Sequence, residues 1–174
     1  MSNRRLRDSV SEHKKKSNIR ANVAVITLST SRTLKDDESG DIIQELLKKK
    51  GHKVPVRKLI ADRRSVLRAT LRKLVREKSI HAIITNGGTG LAPADITIET
   101  VQEIVEKELP GFNSLFMLLS YPQVKSAAML SRAMAGTIQG KLIFCLPGSP
   151  RACKLATASL ILPELGHMLM LLRS

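Results

Sequence analysis

Residues 80–90 read Ile80-His81-Ala82-Ile83-Ile84-Thr85-Asn86-Gly87-Gly88-Thr89-Gly90. The first six form a short, β-branched and mostly apolar run, the pattern of a strand buried on both faces. Polar and glycine residues follow at once, and helical spacing begins near Thr97, with Val101, Ile104 and Val105 on one side as far as Leu109. The same alternation extends in both directions. Upstream, Asn22–Leu28 reads as a buried strand, Ser29–Asp37 as a polar loop, and Ser39–Lys50 as a helix that sets Ile42, Ile43, Leu46 and Leu47 on one face and stops at Gly51. Val54–Ile60 is a second strand, and Arg63–Lys78 a helix with Leu67, Leu71, Leu74 and Val75 inside.

Downstream, Pro110-Gly111 breaks the chain, and residues 112–134 read as helix in two pieces divided near Pro122. Ala135–Ile138 is a short strand and Lys141–Leu146 a firm one. Pro147-Gly148-Ser149-Pro150 then opens a final helix with an interruption at Pro163. Strands alternating with amphipathic helices predict a three-layer α/β/α fold around a mostly parallel sheet. One domain over residues 21–174, preceded by a basic arm over residues 1–20, accounts for the whole length.

Composition narrows the function. Hydrophobic residues make up 43% of the chain, but aromatics are confined to Tyr121 and three Phe, so the core is aliphatic. The net charge is +14, and it is concentrated. Residues 1–20 carry seven Lys/Arg against Asp8 and Glu12, and residues 48–78 carry thirteen against Asp62 and Glu77. Such stretches read either as solvated surface or as attraction for a polyanion. Cys145 and Cys153 form no CxxC, and Met1–Arg20 has no apolar export core, which predicts a reduced, cytoplasmic protein with no membrane partner. His13, His52, His81 and His167 are scattered, which argues against zinc catalysis, and no GxSxG elbow is present.

In folds of this type ligands bind beyond the carboxyl ends of the strands. Four strands end in polar or glycine-rich sequence: Thr27–Ser31, Ala61-Asp62, Asn86–Gly90 and Pro147–Pro150. Their convergence on one sheet edge says more than any one loop. Gly87, Gly88, Thr89 and Gly90 either form an anion-binding nest of N–H groups or simply a tight turn. They are not a P-loop, because no Lys-Ser or Lys-Thr follows at the required spacing. Asp95 reads as a helix N-cap or as a carboxylate able to hold Mg²⁺ with ligand phosphates. Asp62, alone among basic residues, caps the next helix, pairs with Arg63 or Arg64, or serves the same cleft. Ser149-Pro150 is a helix start that can also hold an anion. Arg132, after Ser131, can fork onto a phosphate or neutralise a nearby acid. Two carboxylates, glycine loops and basic residues suit phosphoryl or nucleotidyl transfer, which relies on positioning and charge neutralisation.

The ordered strings Thr85-Asn-Gly-Gly-Thr-Gly-Leu-Ala-Pro-Ala-Asp-Ile-Thr97, Pro110-Gly-Phe112, Ala128-Met-Leu-Ser-Arg-Ala133 and Pro147-Gly-Ser-Pro150 resemble the motifs of the molybdopterin-binding family. The nearer match is its MoaB/MogA branch, with the gephyrin and plant Cnx G domains as relatives. The resemblance covers roughly residues 20–172. It implies an α/β/α domain that assembles as a trimer or hexamer, binds molybdopterin, and transfers AMP from ATP to its terminal phosphate with Mg²⁺, releasing pyrophosphate. It also implies other proteins of molybdenum cofactor biosynthesis as partners.

Carried over by motif, Asp62 and Asp95 match the family's two functional aspartates and its metal-holding pair. Gly87, Gly88, Thr89, Gly90, Pro147, Gly148 and Ser149 fall in pterin- and phosphate-binding loops. Ser131 and Arg132 fall in a further motif, and Thr27 and Ser29 in a loop that lines the cleft. The chain departs from the pattern at Ala94 and Met117, where relatives often carry Arg, and at Asn113-Ser114, where they carry Gly-Glu.

Two other functions compete: a non-catalytic pterin carrier of the same family, and a basic nucleic-acid-binding module. Against the second stand the lack of stacking aromatics and of any zinc-finger, RRM or helix-turn-helix signature, so no nucleic-acid partner is expected.

Overall fold

The computed structural model describes residues 19–173; of the expected basic arm, residues 1–18 lie outside the described residues. The elements in chain order are β1 (Asn22–Leu28), α1 (Glu38–Lys49), β2 (Lys53–Ile60), α2 (Arg64–Arg76), β3 (Ala82–Asn86), α3 (Thr97–Gln102), β4 (Lys107–Glu108), α4 (Pro110–Val124), β5 (Met134–Ile138), β6 (Lys141–Leu146), α5 (Pro150–Ala156) and α6 (Leu162–Leu171). The strands form one six-stranded sheet in the order β2-β1-β3-β6-β5-β4. The first four run parallel, and β5 and β4 pair antiparallel at the far edge.

Alternation along β1 divides the core. Val23 and Val25 face a layer that holds Ile43 and Leu47 of α1, Phe116 of α4, and Cys153, Leu165 and Leu169 of the C-terminal helices. Ala24, Ile26 and Leu28 face the other layer, with Leu67, Leu71 and Leu74 of α2 and Val101 of α3. Leu67 and Leu71 are wholly buried, and truncating such a side chain to Ala typically destabilises a fold by about 2–5 kcal/mol. This is the three-layer α/β/α architecture expected from sequence. The edge strand β2 is half-exposed and carries Lys53, Pro55 and Lys58, residue types that discourage pairing with another chain.

After β1 the chain goes to β2 on one side, then crosses back to β3 on the other. The switch point therefore lies between β1 and β3, and it opens a crevice at their carboxyl ends.

Three expectations need correction. The helix expected over Thr97–Leu109 stops at Gln102, and Lys107–Glu108 becomes a short strand opposite Thr137 and Gly136. Gly136 makes this possible: a Cβ there would sit 2.6 Å from the Lys107 carbonyl oxygen. Pro110 does not break the chain but occupies the first turn of α4, where its missing N–H costs nothing. That helix runs past Pro122 to Val124 and ends at Lys125, whose φ of 53° takes the chain out of the helical region; a 3₁₀ segment over Lys125–Leu130 follows. The interruption expected near Pro163 is present. A π turn over Thr157–Ile161 joins α5 to α6 there, because Pro163 has no N–H to offer the Ser159 carbonyl.

Candidate active site

The carboxyl ends of β1, β2, β3 and β6 surround a cleft of about 440 Å³. Of the residues singled out in the sequence, Ser29, Asp62, Gly88, Asp95, Gly148 and Ser149 line it. All four strand-end loops thus meet, as expected.

Local geometry follows from the glycines. Gly87 and Gly88 have φ of 94° and 63°, a region that side chains resist. Their carbonyls are held by Thr97, whose hydroxyl donates to Gly87 O at 2.8 Å and whose N–H donates to Gly88 O at 2.8 Å. The N–H groups of Gly88, Thr89 and Gly90 donate to no protein acceptor among the described residues. Gly90 lies beneath the Asp95 carboxylate.

Neither aspartate does the capping job open to it. The residue before α2 is Arg63 and the residue before α3 is Ile96, and neither helix has a side-chain cap. Asp62 makes no ion pair with Arg63 or Arg64; Arg64 pairs instead with Glu103 at 3.2 Å. Asp95 Oδ2 accepts the Ala92 N–H at 2.9 Å, which turns the carboxylate back over its own loop. Burial and the negative charge of Asp95 push the Asp62 pKa above the ordinary carboxylate value, against the pull of the Thr30 and Asp62 amides. Two carboxylates that repel each other in a polar cleft suit a divalent cation. The cleft-lining residues include no thiol or imidazole, so the donor set is hard oxygen. Among the described residues no group of three or more His, Cys, Asp or Glu forms a cage, so the remaining ligands would have to come from substrate phosphates and water.

The cleft also contains Thr30 and Ser31, which belong to the expected strand-end loop Thr27–Ser31, and Arg32, which was not singled out in the sequence. The Ser29 hydroxyl accepts the Arg32 N–H at 3.1 Å, which curls this loop. The Arg32 guanidinium donates to Gly148 O at 3.3 Å, and the Ser39 hydroxyl donates to the same oxygen at 2.9 Å. The polar run Ser29-Thr30-Ser31-Arg32 directly after a strand was the available signal.

The remaining candidates lie outside the lining. Thr27 is 1% exposed, and its hydroxyl donates to Asp37 Oδ2 at 2.6 Å. Gly87 is buried behind Gly88, and Thr89 is buried with its carbonyl accepting from Arg132 Nε at 2.8 Å. Arg132 also pairs with Glu99 at 2.7 Å, so it braces the glycine loop and neutralises an acid. The Pro147 carbonyl accepts from the Cys153 thiol. Ser131 lines a second cavity of about 380 Å³, with Phe116, Gln123 and Leu155, that shares Ser149 and Pro150 with the cleft. Ser149 is the cap of α5, accepting the Ala152 N–H at 3.3 Å.

Beneath the cleft lies a buried network that sequence reading missed. Asn86 Nδ2 donates to Thr27 Oγ1 at 2.9 Å, and Arg57 donates to Asp37 Oδ2 at 3.1 Å. Gly40 N–H donates to Asp37 Oδ1 at 3.0 Å, and Arg57 also pairs with Asp41. Desolvation works against the Arg57 charge, but Asp41 and Asp37 outweigh it and leave its pKa raised.

Fold and cleft together define a doubly wound α/β domain with a glycine turn and paired carboxylates at its switch point. The chain belongs to the probable molybdopterin binding domain family, whose match spans residues 24–167. It is 42% identical over 161 residues to molybdenum cofactor biosynthesis protein B of Bacillus cereus, covering 92% of this chain and 95% of that protein. It is also 42% identical over 160 residues to a probable molybdopterin adenylyltransferase of Methanocaldococcus jannaschii, covering 90% and 96%. A crystal structure of molybdenum cofactor biosynthesis protein B superposes with a TM-score of 0.87 at 39% identity, covering 90% of this chain and 98% of that one.

Proposed function

We propose that the chain is a molybdopterin adenylyltransferase of molybdenum cofactor biosynthesis, transferring AMP from ATP to the terminal phosphate of molybdopterin. The observation that carries this reading is the meeting of Asp62 and Asp95 in one cleft, where the charge of one raises the pKa of the other. In the reaction, an oxygen of the molybdopterin phosphate bonds to the α-phosphorus of ATP. The bond from that phosphorus to the bridging oxygen breaks, and the electron pair leaves with pyrophosphate. No strong base is required, because a phosphate monoester is already ionised. Asp62 and Asp95 would hold Mg²⁺, which neutralises charge on the nucleotide phosphates. The free N–H groups after Gly87 and the Arg32 guanidinium orient anionic oxygens. The two cavities on either side of Ser149 and Pro150 give room for two ligands.

The same reading makes the protein a homo-oligomer, trimer or hexamer, in the cytoplasm. The exposure of Leu115, Leu118 and Tyr121 on α4 supports association, and light scattering on the eluted protein checks it. Among the described residues no helix is long and apolar enough to cross a membrane. Free, buried Cys145 and Cys153, with thiols pushed up to about 12 by burial, agree with a reduced setting.

A second reading, a carrier that binds molybdopterin without turnover, is favoured by Ala94, which lines the cleft without bringing a charge. One assay separates the two. Molybdopterin, ATP and Mg²⁺ are incubated with protein, and adenylylated pterin is quantified. The enzyme reading expects product, with Asp62→Asn and Asp95→Asn each losing turnover by roughly 100-fold. Pterin binding with no product from the natural sequence would assign the carrier role. Full turnover by both variants would remove these carboxylates from the chemistry.

A further inference from the structure

Helix α2 carries Arg64, Arg68, Arg72 and Arg76, one arginine at every fourth position along its length. Each step rises about 6 Å, so the four form one unbroken ridge along the helix. The adjoining face of the helix buries Leu67, Leu71, Leu74 and Val75, and beside it Arg64, Arg72 and Arg76 are exposed while Arg68 is partly buried. Lys58 of β2 and Lys73 of α2 line a shallow trough beside it, together with Glu77. Glu103 pairs with Arg64 and Arg68. Among the described residues no carboxylate lies within ion-pair distance of Arg72, Lys73 or Arg76.

At its amino end this arrangement works against the helix that bears it, although Lys73 and Arg76 in the last turn suit the dipole. Arginines four apart repel one another along a helix. Arg64 stands in the first turn with no acidic residue there, and Arg63 before it supplies no side-chain cap, so the positive end of the helix dipole meets more positive charge. Solubility alone favours interspersed charges of both signs. The cations left unpaired among the described residues toward the carboxyl end of the helix, Arg72, Lys73 and Arg76, indicate an anionic counterpart.

The chemistry of the face selects the partner. None of the exposed large hydrophobic residues lies on β2 or α2, so the face has neither the anchors for a membrane surface nor the apolar centre of a protein interface. No aromatic residue lies there to stack on unpaired bases. What remains is a linear array of phosphates read by charge. We propose that the Arg64–Arg76 ridge binds the backbone of double-stranded nucleic acid without sequence preference. This activity is independent of the cleft chemistry, and it revises the expectation of no nucleic-acid partner, which rested on missing motifs and missing aromatics.

The test is fluorescence anisotropy with a short labelled DNA duplex and the full-length protein across a salt series. The three cations with no carboxylate among the described residues in ion-pair distance, Arg72, Lys73 and Arg76, predict a log–log salt slope of about −3. The exposed double variant Arg72→Glu/Arg76→Glu should weaken binding at low salt by at least about tenfold and lower the slope by about 2. Its circular dichroism and pterin adenylylation should stay those of the natural protein, because both side chains lie away from the core and the cleft. The variant retains residues 1–20, so undiminished duplex binding would assign the affinity to that segment and overturn the proposal. Equal salt-sensitive binding to polyglutamate, or to phosphatidylserine vesicles at matched charge, would overturn it as well.

Discussion

Asp37 and Asp62 both follow strands that end at the cleft, yet the molecule treats them in opposite ways. Asp37 is fully buried and accepts from Thr27, Gly40 and Arg57. Its charge is matched, and it joins β1, β2 and the start of α1. Asp62 is half-buried, pairs with no cation among the described residues, and faces the charge of Asp95. One carboxylate is built into the fold, and the other is held ready for something outside it. A buried, paired acid near a cleft therefore says little about chemistry. A partly exposed acid with a raised pKa and a like-charged neighbour says more.

The largest effect that can break this comparison is on stability. Asp37→Ala strands Arg57, whose side chain is 17% exposed, with only the exposed Asp41 as partner. Removing one member of a buried pair typically costs about 3–5 kcal/mol, and urea unfolding should show a loss of that size. A loss under about 1 kcal/mol would mean that solvent already screens the pair. Asp62→Asn should do the reverse: adenylylation falls while the melting temperature stays level or rises. The sign follows from linkage. A carboxyl whose folded pKa is raised is held ionised at neutral pH against the preference of the fold, and that penalty is relieved as pH drops toward the pKa. A clear fall in melting temperature for Asp62→Asn would give that residue a structural role and erase the contrast.

The contrast was only half legible in the sequence. Local patterns were enough for β1, whose run Asn22–Leu28 is a strand over the same residues, and for the turn after β3. Asp62 and Asp95 stood out because each ends up next to a strand-end loop, and topology brings such loops together. The role of Thr27 was not legible, because its position at the end of β1 fits a cleft residue as well as a buried one. Its partner Asp37 lies ten residues on, and Arg57 joins only once β2 pairs beside β1. The short α3 was hidden for a similar reason. Val101, Ile104 and Val105 keep helical spacing, but Gly136, far along the chain, lets Lys107 and Glu108 pair with β5 instead. Periodicity reports local preference, and these outcomes were decided by contacts distant in sequence.

A smaller effect is expected at Arg32, which belongs to the cleft side of the comparison. Its guanidinium lines the cleft and touches the protein through the Gly148 carbonyl. If it serves ligand phosphates, Arg32→Ala should raise the KM for ATP by about tenfold, the size of one charge-assisted hydrogen bond, with little change in folding stability. Arg32→Lys should recover part of the affinity. An unchanged KM with a lowered melting temperature would place Arg32 with Asp37, as a brace rather than a binding group.

The smallest effect separates the two ends of the sheet by pH. At the amino end of β1, His52 Nδ1 accepts the Ala21 N–H at 3.1 Å and His81 Nδ1 accepts the Asn22 N–H at 2.9 Å. Protonated rings cannot accept these bonds. Burial lowers the pKa of His52; burial, then Arg173 and Lys141, lowers that of His81. Both rings therefore stay neutral in the folded state, while the unfolded chain takes up protons near pH 6.5. Stability from this pair is complete above that pH and is lost as pH falls below it. The slope of stability between about pH 6.5 and 5 should flatten in a His52→Gln/His81→Gln variant. The cleft answers differently, because protonating Asp62 removes a repulsion and adds no strain to the fold. As pH falls toward the raised Asp62 pKa, activity should fall with Asp62 intact even in the histidine variant. If the histidine variant instead kept both the stability slope and the activity profile of the natural chain, acid sensitivity would have to arise among the carboxylates alone.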